Sequence, residues 1–273
     1  MKEFDGKTAI ITGGGAGIGK AICQELARKG AIVIVADISK ESADQVAGAI
    51  TQSGGKAQSA RIDVTSEEEV KKLIEDTAAR YGHLDYIFNN AGIAIGGDAR
   101  DLTTEQWVKV FNVNYYGVLY GSIHAYHIMA RQGFGHIINT SSGTGLMPQP
   151  GNTPYCASKH AVIGLSLSLR HEGEDLGVKV STICPGHVRT DIYKNMEVAG
   201  ISNEKMVASL PVKAMSVSEA ADIILKGIIK NKAILIFPKN VKWAWRIYRF
   251  FPGLLDKAWV EKIRNIRRLR REA

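Results

Sequence analysis

Short apolar segments alternate with longer amphipathic segments along residues 1–238 of the chain. Most of the short segments are continuous apolar runs rich in β-branched residues, and they occupy residues 8–12, 32–36, 56–62, 86–90, 136–140, 179–184 and 233–237. Such runs are typical of strands that are buried on both faces, as in a parallel sheet covered by helices. The pattern therefore predicts about seven parallel strands in one α/β domain over residues 1–238.

Start and stop signals for helices lie between the predicted strands. Gly30 follows the first helical pattern, at the place where a glycine commonly ends a helix. Three later segments begin with a capping-box pair, a hydroxyl residue followed three positions later by Glu or Gln: Ser66 with Glu69, Thr103 with Gln106 and Ser216 with Glu219. This order of strands and helices predicts a doubly wound parallel sheet with helices on both faces.

The net charge of the chain is concentrated at its C-terminal end. Residues 239–273, the C-terminal extension, carry 11 Lys and Arg against 3 Asp and Glu, which gives a net charge of +8. Residues 1–238 carry 24 of each sign and are neutral overall. Any argument for a membrane or a nucleic acid as partner therefore depends on the extension alone.

Cysteine and histidine usage excludes two classes of site. Cys23, Cys156 and Cys184 are far apart and form no C-x-x-C pair, and the histidines form no H-E-x-x-H motif. We therefore expect neither a disulfide framework nor a metal site. The first residues contain no apolar stretch of signal-peptide length, so the protein is predicted to be cytoplasmic.

The first strand leads into a glycine-rich segment, TGGGAGIGKAI at residues 12–22. A phosphate-binding P-loop requires Ser or Thr after its lysine, and Ala21 stands there instead. No register gives G-x-G-x-x-G, and the remaining pattern is Gly13-x-x-x-Gly17-x-Gly19. Glycines at a strand-to-helix turn let the backbone approach a pyrophosphate, so we interpret the segment as the turn of a Rossmann-type dinucleotide site. A glycine-rich turn without a ligand is the alternative.

Asp37 ends the second predicted strand, and ligands bind at the carboxyl ends of such strands. A carboxylate there can accept both hydroxyls of an adenosine ribose, and it repels a 2′-phosphate. No arginine follows, although Lys40 is near, so the predicted cofactor is NAD and NADP is disfavoured. An ordinary helix N-cap is the alternative for Asp37, and both roles could hold together. The ends of the next two strands supply further candidates for cofactor contact: Asp63, Val64, Asn90, Ala91 and Gly92.

Tyr155 and Lys159 lie four positions apart in a helical segment. Four residues span about 400° of helix, so the two side chains share a face. An ammonium stabilises a nearby phenolate and lowers the pKa of the phenol, which prepares the tyrosine to exchange a proton with a carbinol oxygen. Because such pairs also arise by chance on solvent-facing helices, the surrounding motifs decide between the two interpretations.

Polar residues near other strand ends supply that context. Ser142 follows the fifth predicted strand, where its hydroxyl can donate to a developing alkoxide. Asn114 lies in a segment predicted to be a buried helix, where an amide needs hydrogen-bond partners. Pro185, Gly186 and Thr190 follow the sixth strand, again at its carboxyl end.

Together these residues resemble the short-chain dehydrogenase/reductase family. The resemblance covers roughly residues 5–238 and rests on TGGGAGIG, Asp63, NNAG, Asn114, Ser142, YCASK and PGHVRT, in the family's order and spacing. It implies that Tyr155 is the general acid/base and that Lys159 binds the nicotinamide ribose and lowers the tyrosine pKa. It further implies that Ser142 orients the substrate oxygen and that Asn114 holds a water in the proton relay.

The resemblance also implies which residues contact the cofactor. The glycine turn would hold the pyrophosphate, and the segment after the sixth strand would contact the carboxamide. The full predicted cofactor set, to which Tyr155 and Lys159 also belong, is Gly13, Gly15, Gly17, Ile18, Gly19, Asp37, Asp63, Val64, Asn90, Ala91, Gly92, Pro185, Gly186, Val188 and Thr190.

The predicted activity is an NAD(H)-dependent interconversion of a hydrophobic secondary alcohol and its ketone by hydride transfer. Two alternatives are a non-catalytic NAD-binding redox sensor that acts through the C-terminal extension, and a reductase of 3-oxoacyl thioesters. The complete catalytic set favours an enzyme, because a sensor would leave those residues free to vary. The resemblance suggests homodimers or homotetramers, in which the helices carrying Asn114 and Tyr155 form one shared face.

Two segments are expected to frame the substrate pocket: residues 143–154 and the insertion at 187–215. Both contain apolar residues that suit an adaptable cavity, although packing in the core is the alternative. The predicted substrate contacts are Ser142, Met147, Tyr155 and Met196, and other apolar residues of these segments are Leu146, Pro148, Ile192, Met206 and Leu210.

The C-terminal extension is divided by Pro252-Gly253 into two amphipathic pieces. In the first piece one helical face carries Trp243, Ile247, Phe250 and Leu254, and in the second an apolar stripe carries Leu255, Trp259, Ile263 and Ile266. We expect packing on a partner subunit or on the protein's own domain, where the extension would cover the substrate mouth, with peripheral membrane contact as the alternative. No stretch is long and apolar enough to span a bilayer. Nucleic acid is not expected, because the basic residues alternate with apolar stripes.

Overall fold

A single seven-stranded sheet dominates the computed structural model, which describes residues 3–190, 192, 194–208 and 214–271. The strands of the structure are β1 (Thr8–Thr12), β2 (Ile32–Asp37), β3 (Lys56–Arg61), β4 (Tyr86–Asn89), β5 (Ile95–Gly96), β6 (Gly135–Thr140), β7 (Val178–Pro185), β8 (Glu197–Val198) and β9 (Ile234–Phe237). The large sheet has the order β3-β2-β1-β4-β6-β7-β9, and every neighbouring pair is parallel. The predicted doubly wound sheet is therefore confirmed. β5 and β8 pair separately.

Helices connect these strands and cover both faces of the sheet. They are α1 (Gly17–Arg28), α2 (Lys40–Gln52), α3 (Glu67–Tyr81), α4 (Thr104–Phe111), α5 (Gly117–Gln132), α6 (Thr153–Glu172), α7 (Asn203–Ala208), α8 (Val217–Ile229), α9 (Lys239–Phe250) and α10 (Gly253–Arg271). A π-helical turn, Asn112–Tyr116, joins α4 to α5. None of the described helices is both long enough and apolar enough to cross a membrane.

The three predicted N-caps are present, but only one of the three pairs forms a reciprocal capping box. The hydroxyls of Ser66, Thr103 and Ser216 each accept a hydrogen bond from the N–H three residues later. Thr103 and Gln106 complete the reciprocal capping box. Glu69 does not complete its capping box. Its Oε2 instead accepts the N–H of Asp63, just after β3, at 2.9 Å. Its side chain thus ties α3 to the preceding strand.

The strand order reverses at β1. β2 and β3 lie on one side of it, whereas β4, β6, β7 and β9 follow on the other. The connections that leave β1 and β4 at the carboxyl edge therefore diverge, which opens a crevice between them. The glycine turn and Asn90 both lie at this crevice, so the fold brings together motifs that are distant in sequence.

Each face of the sheet buries its own apolar layer. Ala9 and Ile11 of β1 pack with residues of α1, α2 and α8, whereas Ile10 packs with residues of α3 and α5. All three strand side chains are fully buried. Since successive strand residues point to opposite faces, covering both faces requires an apolar residue at every position. This requirement explains the continuous apolar runs of the strands.

The two helices of the C-terminal extension contact the domain differently. Ile266 of α10 is 4% exposed and packs with Ala94 and Met196. Arg267 Nε of the same helix lies 2.7 Å from Asp98 Oδ2. By contrast, no residue within Lys239–Phe250 is buried. α10 therefore packs on its own domain, while the apolar face of α9 remains exposed.

Candidate active site

The turn between β1 and α1 depends on glycine at three positions. Gly13 and Gly17 have φ angles of +64° and +53°, which residues with a Cβ rarely adopt. At Gly19 a Cβ would lie 2.1 Å from the carbonyl oxygen of Gly13. The turn leads directly into the N-terminus of α1, where backbone N–H groups and the helix dipole favour a phosphate.

Asn90 and Thr12 tie this turn to the end of β4. Asn90 Nδ2 donates to the carbonyl oxygen of Thr12 at 3.2 Å. Thr12 Oγ1 in turn accepts the N–H groups of Asn90 and Ala91, at 3.0 and 3.1 Å. The sequence analysis did not identify Thr12, and its only signal was its position before the first glycine. These bonds fix the two strand ends that border the crevice.

Asp37 ends β2 and closes the turn from the other side. Its Oδ2 accepts the N–H of Gly15 at 2.9 Å, and its Oδ1 accepts the N–H of Ser39 at 3.0 Å. The N-cap of α2 is Ser39, whose hydroxyl accepts the N–H of Ser42. The N-cap interpretation of Asp37 is therefore wrong, because the helix begins two residues later than that role requires. Asp37 also lines the cavity at the crevice.

A first cavity, of about 410 Å³, follows the carboxyl edge of the sheet from the glycine turn to α6. Most predicted site residues line it: Gly13, Gly17, Ile18, Asp37, Asp63, Val64, Asn90, Ala91, Gly92, Ser142, Tyr155, Lys159, Pro185, Gly186, Val188 and Thr190. The lining also includes Ile192, which was expected at the substrate pocket, and residues that the sequence analysis did not identify: Ala16, Ile38, Ile62, Ile93, Ala94, Val113, Thr140, Ser141 and Asn195. Three of the predicted catalytic and cofactor residues do not line it: Gly15, Gly19 and Asn114.

The Asp63 carboxylate is held by its own turn. Asp63 Oδ1 accepts the N–H of Thr65 at 2.9 Å and the hydroxyl of Thr65 at 2.8 Å. These bonds hold the pKa of Asp63 below its usual range. Asp63 is therefore ionised at neutral pH and presents an acceptor to the cavity, as the cofactor contact predicted for it requires.

Tyr155 and Lys159 lie on one face of α6, as their spacing predicts, and both line the first cavity. Lys159 Nζ is 5.6 Å from the centre of the Tyr155 ring. The Lys159 side chain is almost fully buried, and its Nζ donates to the carbonyl oxygen of Thr140 at 2.9 Å. That bond connects α6 to the end of β6 and sets the position of the ammonium beside the phenol.

Burial also affects the charge of Lys159. Removal from water disfavours the ammonium form and lowers the pKa of Lys159 to about 8. The side chain therefore carries its positive charge at neutral pH but loses it as the pH rises through about 8. The electrostatic support that it offers to a phenolate is accordingly greatest below that pH.

Ser142 follows β6 and faces the same space. Its side chain is 9% exposed, and its Oγ accepts the N–H of Thr144 at 3.2 Å. Because that contact uses a lone pair of the oxygen, the hydroxyl proton stays available for a ligand. Ser142 and Tyr155 both border the first cavity and a second one, so they stand where two ligands would meet.

Asn114 lies in the π-helical turn and is completely buried. Its Oδ1 accepts the N–H of Ile93 at 2.9 Å, and its Nδ2 donates to the carbonyl oxygen of Ile93 at the same distance. A Cβ at Gly92 would lie 3.1 Å from Asn114 Oδ1 and 3.5 Å from Lys159 Nζ. The segment after β4 is thus held against the lysine by an amide and kept narrow by a glycine.

The second cavity has a volume of about 430 Å³. It adjoins Ser142 and Tyr155 and is lined by both predicted substrate methionines, Met147 and Met196. The side chain of Met206 and all of Leu210 lie outside the described residues. Three residues of the C-terminal extension complete the lining: Val241, Trp259 and Lys262. The sequence analysis listed covering of the substrate mouth among the roles of the extension but did not identify these residues as contacts.

Comparisons with known proteins agree with this geometry. The model of the short chain dehydrogenase family matches residues 7–200. Meso-2,3-butanediol dehydrogenase of Serratia marcescens is 35% identical over 75% of this chain and 81% of that protein. Cyclohexanol dehydrogenase of Acinetobacter sp. (strain SE19) is 31% identical over 86% of this chain and 92% of that protein. A crystal structure of a short-chain dehydrogenase/reductase from Burkholderia phymatum in complex with NAD has a TM-score of 0.86 and 27% identity, covering 93% of this chain and 96% of that one.

Proposed function

Since this chain belongs to the short-chain dehydrogenase family, we propose that it is an NAD(H)-dependent oxidoreductase that interconverts a hydrophobic secondary alcohol and its ketone. The observation that carries the proposal is the position of Tyr155, which borders both cavities and lies beside the buried ammonium of Lys159. Two relatives named for alcohols, 2,3-butanediol and cyclohexanol, support a secondary alcohol as the substrate class.

The residues of the first cavity fit a nicotinamide dinucleotide. The absence of a side chain at Gly13 lets the glycine turn and the end of β4 approach each other closely, because a Cβ there would lie 2.9 Å from Ala91 Cα. Asp37 stands at the end of β2, at the far end of the same cavity from Lys159. When bound, the dinucleotide would supply the acceptor or donor of hydride.

We assign the proton transfer to Tyr155. Its phenol would take the proton of the carbinol during oxidation and return it during reduction. Ser142 would donate to the substrate oxygen and hold it beside the phenol. Lys159, fixed by the carbonyl oxygen of Thr140, would stabilise the phenolate through its ammonium. Asn114 would keep the segment after β4 in place, and its part in a water relay belongs to this proposal.

Assays with a panel of substrates distinguish the proposed dehydrogenase from the two alternatives, a redox sensor and a 3-oxoacyl thioester reductase. Purified protein would be incubated with NAD and secondary alcohols, or with NADH, ketones and 3-oxoacyl thioesters, while the absorbance of the reduced cofactor is followed. Turnover of alcohols or ketones supports the proposal. NAD binding without turnover on any substrate supports the redox sensor, and turnover confined to the thioesters supports the 3-oxoacyl reductase.

The second part of the proposal is a preference for NAD over NADP. We expect Asp37→Ala to lower the ratio of kcat/KM for NAD to that for NADP by about 10- to 100-fold. The reason is that the carboxylate repels a 2′-phosphate, and charges about 4 Å apart near a protein surface interact by ~1–4 kcal/mol. Steady-state kinetics with both cofactors measures the ratio.

Asp76→Ala is the matched control, because that carboxylate is exposed on α3, away from the cavity, and should leave the ratio unchanged. A general loss of activity with both cofactors in Asp37→Ala would report only the broken bond to the Gly15 N–H. A wild-type protein that already uses NADP better than NAD would show that the ribose argument is wrong.

We also propose that the extension contacts a membrane surface through α9. The α9 surface consists of five exposed apolar residues: Trp243, Ile247, Phe250, Phe251 and Leu254. Trp243 is 61% and Phe250 is 72% exposed, and Arg246 and Arg249 lie over the faces of neighbouring tryptophan rings. Apolar rings flanked by arginines are typical of helices that lie in the interface of an anionic bilayer.

The double variant Trp243→Glu, Phe250→Glu is expected to reduce binding to vesicles rich in phosphatidylglycerol by at least about tenfold. Each substitution replaces an apolar ring with a carboxylate that anionic lipid repels, and one buried ring contributes ~1.5–3 kcal/mol. Co-sedimentation measures the binding. Leu176→Glu is the control, since Leu176 is 40% exposed and lies before the amino end of β7. Absence of sedimentation by the wild type would instead favour packing of α9 on a partner subunit.

The quaternary structure and the compartment complete the proposal. Val108 of α4 and Tyr116 of the π-helical turn are exposed apolar side chains on the helical segment that carries Asn114. They support a homodimer or homotetramer in which that segment and α6, which carries Tyr155, form the shared face. Cys23, Cys156 and Cys184 are buried and unpaired, which fits the reducing cytoplasm.

A further inference from the structure

Helix α10 is a wall of the second cavity. Trp259 and Lys262 line the cavity together with Tyr155, although more than one hundred residues separate them in sequence. Two contacts dock the helix: Ile266 against Gly151, where a Cβ would lie 2.5 Å from Ile266 Cδ1, and Arg267 against Asp98. The wall is therefore attached to the domain immediately beside the residues that approach the cavity.

Asp98 makes this attachment strong. Its side chain is 5% exposed and receives hydrogen bonds from both Arg100 and Arg267. The two guanidinium groups hold the pKa of Asp98 well below its usual range, with Arg100 the larger influence. The carboxylate thus stays ionised and paired with both guanidinium groups, one of which belongs to α10.

Three buried polar atoms on residues lining the second cavity lack a hydrogen-bond partner within the described part of the chain. They are Thr144 Oγ1, Asn152 Oδ1 and Trp259 Nε1. A buried donor or acceptor without a partner is costly, so native proteins usually satisfy it with a ligand or a water. All three atoms have almost no accessible surface in this conformation, so a ligand reaches the Trp259 N–H only after the indole rotates.

Lys262 adds a charge to the same lining. Burial lowers the pKa of its ammonium, and no hydrogen bond or ion pair holds Lys262 among residues 3–190, 192, 194–208 and 214–271. None of the described residues that line the cavity is acidic. An ammonium that is partly buried and faces no acidic side chain among the described lining residues is suited to bind a carboxylate of a ligand.

We propose that Lys262 and the indole N–H of Trp259 bind a carboxylate on the substrate, so that the natural substrate is a hydroxy acid or its keto acid. The inference rests on the proposed function, because it places the carbinol of the same molecule at Tyr155 and Ser142. The apolar lining, with Met147 and Met196, would receive the carbon skeleton between the two polar ends. α10 thereby determines specificity without taking part in the proton transfer.

The experiment compares two alcohols that differ only in the carboxylate, cyclohexanol and 4-hydroxycyclohexanecarboxylate, in the NAD-loaded full-length protein. For the wild type we expect kcat/KM to be higher for the acid. In Lys262→Met, which keeps the length of the side chain, the ratio of acid to neutral alcohol should fall by about 10- to 100-fold. In Trp259→Phe, which keeps the ring and removes the N–H, the ratio should fall by about 3- to 10-fold. Lys257→Met on the exposed side of α10 is the control and should leave the ratio at its wild-type value.

A second measurement separates this inference from the proposed function. Calorimetry of cyclohexanecarboxylate with the NAD-loaded protein reports the carboxylate site without any turnover. If neither alcohol is oxidised but the acid binds and loses affinity in Lys262→Met, the proposed function is wrong and the carboxylate site stands. If the two alcohols are oxidised but neither the ratio nor the acid affinity changes in Lys262→Met or Trp259→Phe, the inference is overturned and the proposed function stands.

Discussion

Replacement of Tyr155 by Phe is expected to lower kcat for alcohol oxidation by about 1,000-fold while the Kd for NAD changes by no more than about threefold. General acid–base catalysis contributes about 100- to 10,000-fold, and no other phenol borders both cavities among the described residues. The variant removes one oxygen and keeps the ring that packs with Ile192 and Met196. Stopped assays with a saturating alcohol give kcat, and calorimetry gives the Kd.

Tyr81→Phe serves as the matched control, because Tyr81 ends α3, whose C-terminus lies at the amino edge of the sheet. It should leave both kcat and the affinity for NAD unchanged. Activity in Tyr155→Phe within tenfold of the wild type would remove the chemical basis of the proposed function. A parallel loss of NAD binding would mean that the phenol supports the cofactor cavity rather than the proton transfer.

The second large effect is expected at the glycine turn. Gly19→Ala should weaken NAD binding by at least about 100-fold. The added methyl group would lie 2.1 Å from the carbonyl oxygen of Gly13, which is backbone and cannot rotate away. The turn must then open, and the N–H groups that would face the pyrophosphate lose their arrangement. Calorimetry with NAD measures the loss.

Gly48→Ala is the control for this substitution. Gly48 lies within α2, and a Cβ there would meet nothing within 4 Å. Alanine in a helix interior is favoured over glycine by about 0.8–1.0 kcal/mol, so this variant should be slightly more stable and should bind NAD normally. Circular dichroism distinguishes a local effect of Gly19→Ala from unfolding. Normal NAD affinity in a folded Gly19→Ala protein would contradict the assignment of the turn.

The sheet was predictable because strands covered by helices on both faces need apolar residues at successive positions. Ile10 and Ile11 face opposite layers, and both layers are closed by helices, so β1 needs an apolar residue at each position. The edge strand β3 is only half-buried, and its sequence is correspondingly mixed. The glycines were predictable for a related reason. Gly13 and Gly17 adopt backbone conformations that few other residues tolerate, so the residue type itself carries the information.

Features that depend on distant partners were not predictable from the sequence alone. Thr12 has no local pattern that marks it, and its role follows only from the arrival of Asn90 beside it. The π-helical turn around Asn114 was expected to be an ordinary helix, because one extra residue in a turn leaves the apolar periodicity nearly unchanged. Asp37 was considered as an N-cap, but the helix boundary was two residues further on.

The helices of the C-terminal extension were predictable from the sequence, but their contacts were not. Its periodicity and its Pro-Gly break predicted two amphipathic helices, and α9 and α10 are separated at that place. Periodicity identifies an apolar face but not what covers that face. Only the structure distinguishes the stripe of α10, which contains the buried Ile266, from the α9 surface, which no described residue covers.

The contact between Arg267 and Asp98 joins residues that are 169 positions apart. During synthesis the chain emerges from its N-terminus, so the sheet and the glycine turn can form while α10 is still inside the ribosome. The wall that holds Trp259 and Lys262 is therefore added after the sheet and the glycine turn. If the proposed function holds, the nascent protein passes through a stage in which the dinucleotide site is formed but the wall that selects the substrate is not.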